Sequence, residues 1–549
     1  MRFKKYKFAL IAKGAYSRPL LLVSEFCFQT RLNFYWSLAG LITIGILITT
    51  FLGLGLFGAE QNTYDSLIKI RWSSPAPSKD IVILDIDEKS LSKLAPKLGR
   101  WPWKREVMAE VLSELEAAGA KSVIFNELIT DPDLGNEQSD AILNEVAEQS
   151  KIVVFPLVRL PNENDSKSSL HVSSINGASL KNKSVDPTIA AILPAFSGMR
   201  KNMGISNLET DSDGIVREYS IIRDEENWSM PSLIGKALEL SGQKILDDRE
   251  SKLMINWRNK KGTYQRVSIV DYMDSLEGKG ILSSDYFAGK NVILGASAPG
   301  ISNLKGTSAS ALTDDNEILA TALDDAINDT NLKSLPSWLV ASLAIGFLAL
   351  LAHLFSSGRA SEETDVIFVV IEVLSIVLMF AAISYTNQFI DISPVVTYGL
   401  IFFTVAKVHH GFADKVVRGS PSHLNFLKIK KPKLLAVIAF EKENYKKITM
   451  NNLYESFIKT FGNQSVFMCF DVFEGDTILS SLKDVGCLVI LDSVEGVESF
   501  KAKISATLTK NKNDLKFEVF EISEHFDTHE KILEYVSQKI LVEVQKKVA

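Results

Sequence analysis

The sequence predicts three structural parts: an α/β domain with a mixed sheet and flanking helices, four transmembrane helices, and a small α+β domain at the C-terminus. One apolar segment lies near the N-terminus, a long and mainly polar stretch follows at 60–333, and three closely spaced apolar segments come after it. Within the polar stretch, continuous apolar runs alternate with segments of helical spacing, which indicates an α/β layer.

Four segments reach the roughly 20 apolar residues that a membrane helix needs. They are 36–57, 337–355, 366–385 and 390–408. The first is too long for a cleaved signal peptide, so we expect it to remain as a span. Basic residues dominate before the first span and after the last one, which predicts that both termini are cytoplasmic. The domain between the first and second spans is then periplasmic.

Composition is consistent with a membrane protein. Hydrophobic residues make up 46% of the chain, which is high for a wholly soluble protein. The formal net charge of -6 argues against a nucleic-acid partner. Cys27, Cys469 and Cys487 all lie outside 60–333, so that domain can form no disulfide.

The predicted domain order follows from the spans and from shifts in composition. It is a basic cytoplasmic N-terminus (1–35), a transmembrane helix (36–57), a periplasmic domain (60–333), three transmembrane helices (337–408), a basic linker (409–432) and a cytoplasmic α+β domain (433–549). This layout is typical of a receptor that carries information across a bilayer.

In the periplasmic domain, apolar runs predict buried strands at 81–86, 122–129, 151–158 and 291–298, with a helix at 108–120. Alternating patterns at 216–223 and 265–273 predict antiparallel strands at an edge. The small residues of 291–300 would let the backbone approach a neighbour closely.

Acidic and aromatic side chains near strand and helix ends are the candidate ligand-binding residues. Asp85 and Asp87 lie at the carboxyl end of a central strand, where α/β folds place their ligand crevice. The alternative is that they cap a helix or pair with an arginine.

Two further candidate groups follow. The segment 99–105 contains Arg100, Trp101, Trp103 and Arg105, which form either an aromatic ligand shelf or a core contact before a helix. A predicted turn contains Asp211 and Asp213, with Arg217 after it. Arg217 would bind an anion, or would tie the turn to Asp87 or Asp211.

Several short motifs occur in one order: LDIDEKSL (84–91), GRWPWKR (99–105), AAGAKSVIFNELITDPD (117–133), TDSDGIVRE (210–218), INWR (255–258) and VILGASAPG (292–300). Together they resemble the extracytoplasmic CHASE sensor domain of the second type. The resemblance implies a sensor whose ligand is undefined, followed by a three-span membrane module and a cytoplasmic output domain. Asn126 stands where the family leads us to expect an acid.

Glu372 is an ionisable residue in the third span, which makes it a functional candidate. The alternative is that it pairs between helices or reaches the membrane surface.

The tail weakly resembles a GGDEF (diguanylate cyclase) domain that has lost its chemistry. Glu441 stands in the place of a metal-binding acid, Thr449 replaces a guanine-contacting residue, and KDVGC (483–487) replaces the signature turn. An independent origin of the same sheet order is the alternative. Cyclisation of a nucleoside triphosphate needs carboxylate-held divalent ions, so we expect no catalysis, metal or cofactor here.

We therefore expect a bacterial inner-membrane receptor, or an accessory protein. It would sense a periplasmic ligand or protein and act through a non-catalytic cytoplasmic domain that binds a protein partner, as a homodimer by analogy. One alternative is a membrane-bound nucleotide cyclase of the diguanylate or adenylate type, using Glu441, Asp476 and Asp484. Another is an envelope scaffold without a ligand.

Overall fold

The computed structural model describes residues 18–52, 59–243, 251–258, 262–356, 361–417, 432–441, 447–462, 465–469, 485–493, 496–511 and 515–522, with 535, 538, 539, 542 and 543. The described residues form two compact units. The α/β unit contains those of Gly58–Leu335 together with Val377–Asp391. The second unit contains those of Met1–Phe57, Pro336–Ile376 and Ile392–Ala549.

The helices, numbered along the described chain, are α1 (Arg18–Phe51), α2 (Ala59–Ile70), α3 (Glu88–Leu98), α4 (Arg105–Ala117), α5 (Glu137–Gln149), α6 (Leu233–Leu240), α7 (Ile269–Leu276), α8 (Asp315–Asn328), α9 (Ser337–Ser356), α10 (Ser361–Tyr385), α11 (Ser393–Val417), α12 (Lys447–Phe461) and α13 (Val497–Lys510). Short 3-10 helices occupy Asn162–Lys167, Val172–Ser174 and Met199–Lys201.

The strands of the α/β unit are β1 (Ile81–Ile86), β2 (Ser122–Phe125), β3 (Val153–Arg159), β4 (Ser179–Leu180), β5 (Ala191–Ile192), β6 (Met203–Ile205), β7 (Ile215–Val216), β8 (Glu218–Ser220), β9 (Ile222–Asp224), β10 (Trp228–Pro231), β11 (Lys252–Met254), β12 (Gln265–Ser268), β13 (Asn291–Ala296), β14 (Leu304–Thr307), β15 (Thr313–Asp314), β16 (Lys333–Ser334) and β17 (Gln388–Phe389).

The main sheet has the order β12-β1-β13-β2-β3-β5, and β6 also pairs with β3. All these pairs are parallel except the one between β3 and β5. The four apolar runs of the sequence are its central strands β1, β2, β3 and β13, as predicted. The α/β unit is thus a mixed sheet with flanking helices.

The sheet buries apolar side chains on both faces. In β1, Ile81 and Ile83 pack with α2, α6 and α8 on one face, while Val82 and Leu84 pack with α4 and α7 on the other. All six residues of β1 are buried. Continuous apolar runs are what a strand covered on both sides requires.

The prediction of an antiparallel edge strand at 265–273 is wrong. Gln265–Ser268 is the edge strand β12, but it runs parallel to β1. The chain then turns into helix α7, where Ile269, Val270 and Tyr272 are buried at helical spacing. Alternation over only four residues cannot report strand direction, which depends on long-range crossovers.

The prediction for 216–223 is correct in part. β8 and β9 do pair antiparallel, with β11 and β10 respectively. They form small separate sheets rather than an edge of the main one, and β7 pairs parallel with β14. Strands β7, β8 and β9 have only two or three residues each. Segments this short are too brief to show a repeating pattern of apolar and polar residues in the sequence.

The connection between α10 and α11 belongs to the α/β unit. Its strand β17 pairs parallel with β16. The backbone N–H of Lys333 donates to the carbonyl oxygen of Asn387 at 3.0 Å, and that of Leu335 donates to Phe389 at 3.4 Å. Phe389 is buried in the same core cluster as Tyr64. We call residues 386–391 the docking hairpin.

Three helical stretches of the described chain are long and apolar enough to cross a membrane: Asn33–Phe51, Ser337–Ser356 and Glu363–Tyr385. The fourth predicted span, 390–408, falls largely in α11, which is a helix of 25 residues but is not one of these three. Lys407, His409 and His410 lower the hydropathy of α11. A fourth span therefore stays a prediction.

The described part of the tail contains a sheet in the order β19-β20-β18-β21, formed by β18 (Leu434–Glu441), β19 (Val466–Cys469), β20 (Val485–Asp492) and β21 (Glu518–Glu521). All its pairs are antiparallel. Helices α12 and α13 contribute Phe457 and Phe500 to its core. Most residues of 523–549 lie outside those described.

Candidate functional site

A cavity of about 260 Å³ lies at the carboxyl end of β1 in the main sheet. Its lining residues are Asp85, Gly262, Arg266, Ser297, Leu304 and Asp314. Asp85 belongs to β1, Ser297 follows β13, and Asp314 caps the N-terminus of α8. The carboxyl ends of parallel strands are where open α/β sheets bind ligands.

Arg266 is the central cation of this cavity. Its Nη1 donates to Asp85 Oδ2 at 2.9 Å, and its Nη2 donates to Asp314 Oδ2 at 2.9 Å and to Glu317 Oε2 at 2.8 Å. Burial lowers the pKa of Arg266, but Asp314 and Glu317 raise it above its ordinary value. Three carboxylates thus share one guanidinium.

Asp85 has acceptor capacity that Arg266 does not use. The residue is 5% exposed, and its Oδ1 is buried without a hydrogen bond among the described residues. Burial raises the pKa of Asp85, while Ser297 and Arg266 oppose that rise. Ser297 is therefore a polar neighbour of the Asp85 carboxylate, although Oδ1 itself has no hydrogen bond among the described residues.

Two more acids lie near this end of the sheet. Glu127 Oε1 accepts a hydrogen bond of 2.7 Å from the backbone N–H of Ala296, and burial raises the pKa of Glu127 to about 7. Burial also raises the pKa of Asp315 to about 6, although Asn126 donates a hydrogen bond to its carboxylate. Asn126 also donates to Asn316 Oδ1 at 2.9 Å. The side-chain amide of Asn126 therefore donates to both Asp315 and Asn316 at the start of α8.

Gly295 lets α8 approach the sheet. A Cβ at this position would lie 2.2 Å from Asn316 Oδ1, which is too close for any side chain. Asn316 is fully buried and donates to the carbonyl oxygen of Ala296 at 3.3 Å. The sequence predicts that the backbone of 291–300 approaches a neighbour closely. In the structure, that neighbour is the side chain of Asn316 in α8.

Sequence reasoning missed most of this site. It singled out Asp85 but not Arg266, Asp314, Glu317 or Glu127. The acids of TDDNEI (313–318) before a helix were a usable signal, since an acid commonly caps a helix N-terminus. No feature of the sequence around Arg266 indicates that its side chain binds acids of two distant segments, β1 and the start of α8.

Asp87, which directly follows β1, caps α3. Its Oδ1 accepts hydrogen bonds from Ser90 N and from Ser268 Oγ, both at 2.8 Å. Asp85 and Asp87 therefore have different environments: one lines the cavity and the other fixes a helix start. Of the two partners suggested for Arg217, Asp87 makes no hydrogen bond to it among the described residues, whereas Asp211 does.

Arg217 lies apart from the cavity and binds the predicted turn. Its guanidinium donates to Asp211 Oδ2, to Asp213 Oδ2 at 2.6 Å, and to Asp65 Oδ2 of α2 at 2.7 Å. Burial lowers the pKa of Arg217, but the hydrogen bonds that it donates to these carboxylates raise it above its ordinary value. This is the structural alternative foreseen for Arg217, with Asp65 as an additional partner.

Comparison with models of protein families identifies the domain: the model of the CHASE2 domain matches residues 41–354. The chain belongs to the CHASE2 family. The match begins inside α1 and ends inside α9, and it contains the described residues between them. The family resemblance carried by the motifs is thereby confirmed, and the chain contains an extracytoplasmic sensor domain of signal transduction. No curated protein and no solved structure gives a significant match.

The aromatic motif of the CHASE2 domain packs on the core. Trp103 is 2% exposed, and its ring meets that of Trp101 edge to face at 5.0 Å between centroids. Arg100 is exposed and Arg105 is half-buried. None of the four lines the cavity at Asp85. Their ligand-binding role stays a prediction.

Helix α8 of the CHASE2 domain joins the cavity to the docking hairpin. Its first residues, Asp314 at the cap and Glu317, bind Arg266. Near its other end, Asp325 accepts hydrogen bonds of 2.6 Å from both Arg258 Nη1 and the backbone N–H of Asn256. With 14 residues, α8 spans about 21 Å.

Asn256, in the INWR motif of the CHASE2 domain, completes this connection. Its Nδ2 donates to Asn387 Oδ1 at 3.1 Å and to the carbonyl oxygen of Thr330 at 2.7 Å. Its Oδ1 accepts from Arg71 Nη1 at 2.5 Å. One buried amide thus contacts the end of α2, the residues after α8, and the docking hairpin.

Glu372 lies in α10 of the second unit, beside a glycine of α11. Both its carboxyl oxygens are buried without a hydrogen-bond partner among the described residues. A Cβ on Gly399 would lie 3.0 Å from Glu372 Oε1 and 2.5 Å from the ring of Phe347. Gly399 therefore makes room for side chains of α9 and α10, and a role for Glu372 stays a prediction.

No group of three or more histidine, cysteine or acidic side chains in the described part of the chain is arranged to hold a metal ion. In the tail, the side chain of Glu441 and residues Asp476 and Asp484 lie outside the described structure. The family match also ends before the tail, so its GGDEF resemblance stays a prediction.

Proposed function

We propose that this protein is a bacterial inner-membrane receptor, or an accessory protein of one, whose CHASE2 domain lies in the periplasm and acts through the membrane helices on a cytoplasmic tail. The order of the helices supports this proposal. α1 precedes the segment Gly58–Leu335 of the α/β unit, while α9, α10 and α11 follow that segment. With α11 as a fourth span, both chain ends lie in the cytoplasm.

The docking hairpin is the observation that carries the proposal. It connects α10 to α11, and it pairs through β17 with β16 of the CHASE2 domain. The hydrogen bond from Asn256 to Asn387 adds a side-chain contact. A hairpin that pairs with the domain must lie on the same side of the membrane. This supports α10 and α11 as two spans that approach and leave that side.

Aromatic residues near the docking hairpin support a membrane surface close to the C-terminal end of α10. Trp72, which follows α2, is 56% exposed, and its ring stacks on Phe380 at 5.9 Å and lies 6.3 Å from that of Tyr385. Tryptophan and tyrosine are enriched where membrane helices meet water.

The signal would travel as a change of packing. A change in cavity occupancy alters the contacts of Asp314 and Glu317 at the start of α8, and the last turn of α8 contacts Asn256. Asn256 in turn contacts the hairpin, whose position biases α10 and α11 between two arrangements. The tail then acts by binding a protein partner rather than by catalysis, in a homodimer.

Cysteine labelling tests the membrane arrangement. In a variant without Cys27, Cys469 and Cys487, single cysteines replace Ser169 in the CHASE2 domain, Thr386 in the hairpin and Lys459 in the tail, all three of which are exposed. In intact spheroplasts, a membrane-impermeant maleimide should label positions 169 and 386 but label 459 only after permeabilisation. Labelling of 459 in intact spheroplasts, or protection of 386 while 169 reacts, would contradict the proposal.

A further inference from the structure

The cavity at Asp85 carries an excess of negative charge. Asp85, Asp314 and Glu317 all hydrogen-bond to Arg266, and their side chains are 5–6% exposed. One guanidinium balances one of the three negative charges. Net charge that is buried without compensation is costly, so the site favours a further cation.

Asp85 supplies a second and independent indication. Its Oδ1 is buried and unpartnered among the described residues, while its Oδ2 is held by Arg266. Native proteins satisfy nearly all such buried acceptors. The residue lines the cavity, so a donor that enters the cavity is the natural partner for this carboxylate.

The size and lining of the cavity favour an organic cation over a metal ion. A volume of about 260 Å³ is far more than a bare ion fills, and it is slightly below the range of pockets for drug-sized ligands. The described side chains contain no group suited to hold a metal. Ser297 offers a hydroxyl and Leu304 offers an apolar wall, which suit the polar and the carbon-bearing parts of a small amine.

We propose that this cavity binds a small organic solute that carries a primary ammonium group, with Asp85 as its main acceptor. The inference rests on the proposed sensory function, because it names the ligand class of the CHASE2 domain. Asp314 and Glu317 attract the same charge, and Arg266 keeps the carboxylates in place when the cavity is empty.

Calorimetric titration of the full chain in nanodiscs of phosphatidylethanolamine and phosphatidylglycerol tests this inference. The probes are three compounds with four-carbon chains: putrescine, 1,4-butanediol and succinate, with calcium chloride as a fourth. Putrescine should bind and the other three should not. Absence of putrescine binding, or binding of succinate or calcium at this site, would overturn the inference.

Variants locate the binding. Asp85→Asn should weaken putrescine binding at least tenfold, whereas Asp271→Asn, an exposed carboxylate on α7 that pairs with Lys89, should leave it unchanged. Because Asp85→Asn could impair folding, Ser297→Lys is the second variant: it places a tethered ammonium in the cavity and should abolish binding while raising the Tm. Undiminished binding in both variants would overturn the inference. Since calorimetry does not depend on membrane orientation, a failure here is distinguishable from a failure of the labelling experiment.

Discussion

Asn256 donates a hydrogen bond of 3.1 Å from Nδ2 to the Oδ1 of Asn387, and so joins the INWR motif of the CHASE2 domain to the connection between α10 and α11. The backbone N–H of the same Asn256 donates to Asp325 in the last turn of α8. A residue with these two contacts is well placed to pass a displacement of α8 to the hairpin.

Asn256→Ala should destabilise the CHASE2 domain. The change removes the bonds to Thr330 and Asn387 and the acceptor of Arg71, and unsatisfied buried groups cost about 1–3 kcal/mol. We expect a loss of about 2 kcal/mol in the free energy of unfolding of the full chain in nanodiscs. Asn176→Ala, an exposed asparagine with one bond to Arg200 O, is the control. Equal losses in the two variants would contradict the role of Asn256.

Gly295→Ala should displace the start of α8. The new Cβ would meet Asn316 Oδ1 at 2.2 Å, and overpacking of this kind costs about 1–3 kcal/mol. The control is Gly306→Ala in β14, where a Cβ would find no atom closer than 3.7 Å. Thermal unfolding of the two variants measures the difference, and a Tm for Gly295→Ala at or above that of the wild type would disprove the close approach.

Glu127 should make stability depend on pH. Burial raises the pKa of Glu127 to about 7 from its ordinary value of 4.5, so between these two pH values the folded protein holds a proton that the unfolded chain releases. This contribution is present in full below about pH 4.5 and is lost as the pH rises to 7, by at most about 3 kcal/mol. Asp315, with a pKa of about 6, acts in the same direction.

Denaturant titrations of Glu127→Gln between pH 4.5 and 7.5 check this point. The amide keeps an acceptor for Ala296 N and carries no charge, so the decline in stability should be smaller than in the wild type. Glu110→Gln, an exposed position on α4, should keep the wild-type profile. Parallel profiles for the wild type and Glu127→Gln would show that Glu127 does not take up the proton.

Arg217→Met should be the most damaging single change at the Asp211 turn. It leaves three carboxylates, one from α2, without their shared cation, and loss of one partner of a buried ion pair costs about 3–5 kcal/mol. Arg223→Met, a more exposed arginine that pairs with Glu225 and Glu209, should cost clearly less. Urea unfolding measures the loss of stability in both variants. A larger loss for Arg223→Met than for Arg217→Met would argue against the ion pairs of Arg217 with Asp65, Asp211 and Asp213.

The full chain should make no cyclic nucleotide. Incubation with labelled GTP or ATP and magnesium should yield neither a cyclic dinucleotide nor a cyclic mononucleotide, because the tail sequence lacks the signature turn of cyclases. Recovery of added authentic product controls for degradation. Product formation that Glu441→Gln abolishes would establish the enzyme alternative.

The sequence predicted the central strands well because each one is buried on both faces and therefore reads as a continuous apolar run, as in Ile81–Ile86. It failed at β12, since four alternating residues carry no information on strand direction. At the site, Asp85 was identifiable by its position at a strand end. Arg266 and Asp314 were not, because they meet Asp85 only through parallel crossovers that bring distant segments together.

The turn at Asp211 shows the same limit on a smaller scale. Asp211 lies six residues before Arg217, and the sequence suggested their pairing, whereas Asp213, which is closer still, was expected only as a turn residue. Asp65 contributes from α2, and no pattern near Arg217 points to it. Local contacts were predictable, and contacts that depend on the assembled fold were not.

Hydrogen exchange at the docking hairpin tests the central claim most directly. The readout is the backbone amides of Lys333 and Leu335, which donate to Asn387 and Phe389. In the full chain in nanodiscs, Ser297→Lys should change their exchange rates, and the change should be much smaller when Asn256→Ala is added. Exchange that stays at the wild-type rate at both amides, while amides beside Ser297 respond, would contradict a connection from the cavity through α8 to the hairpin.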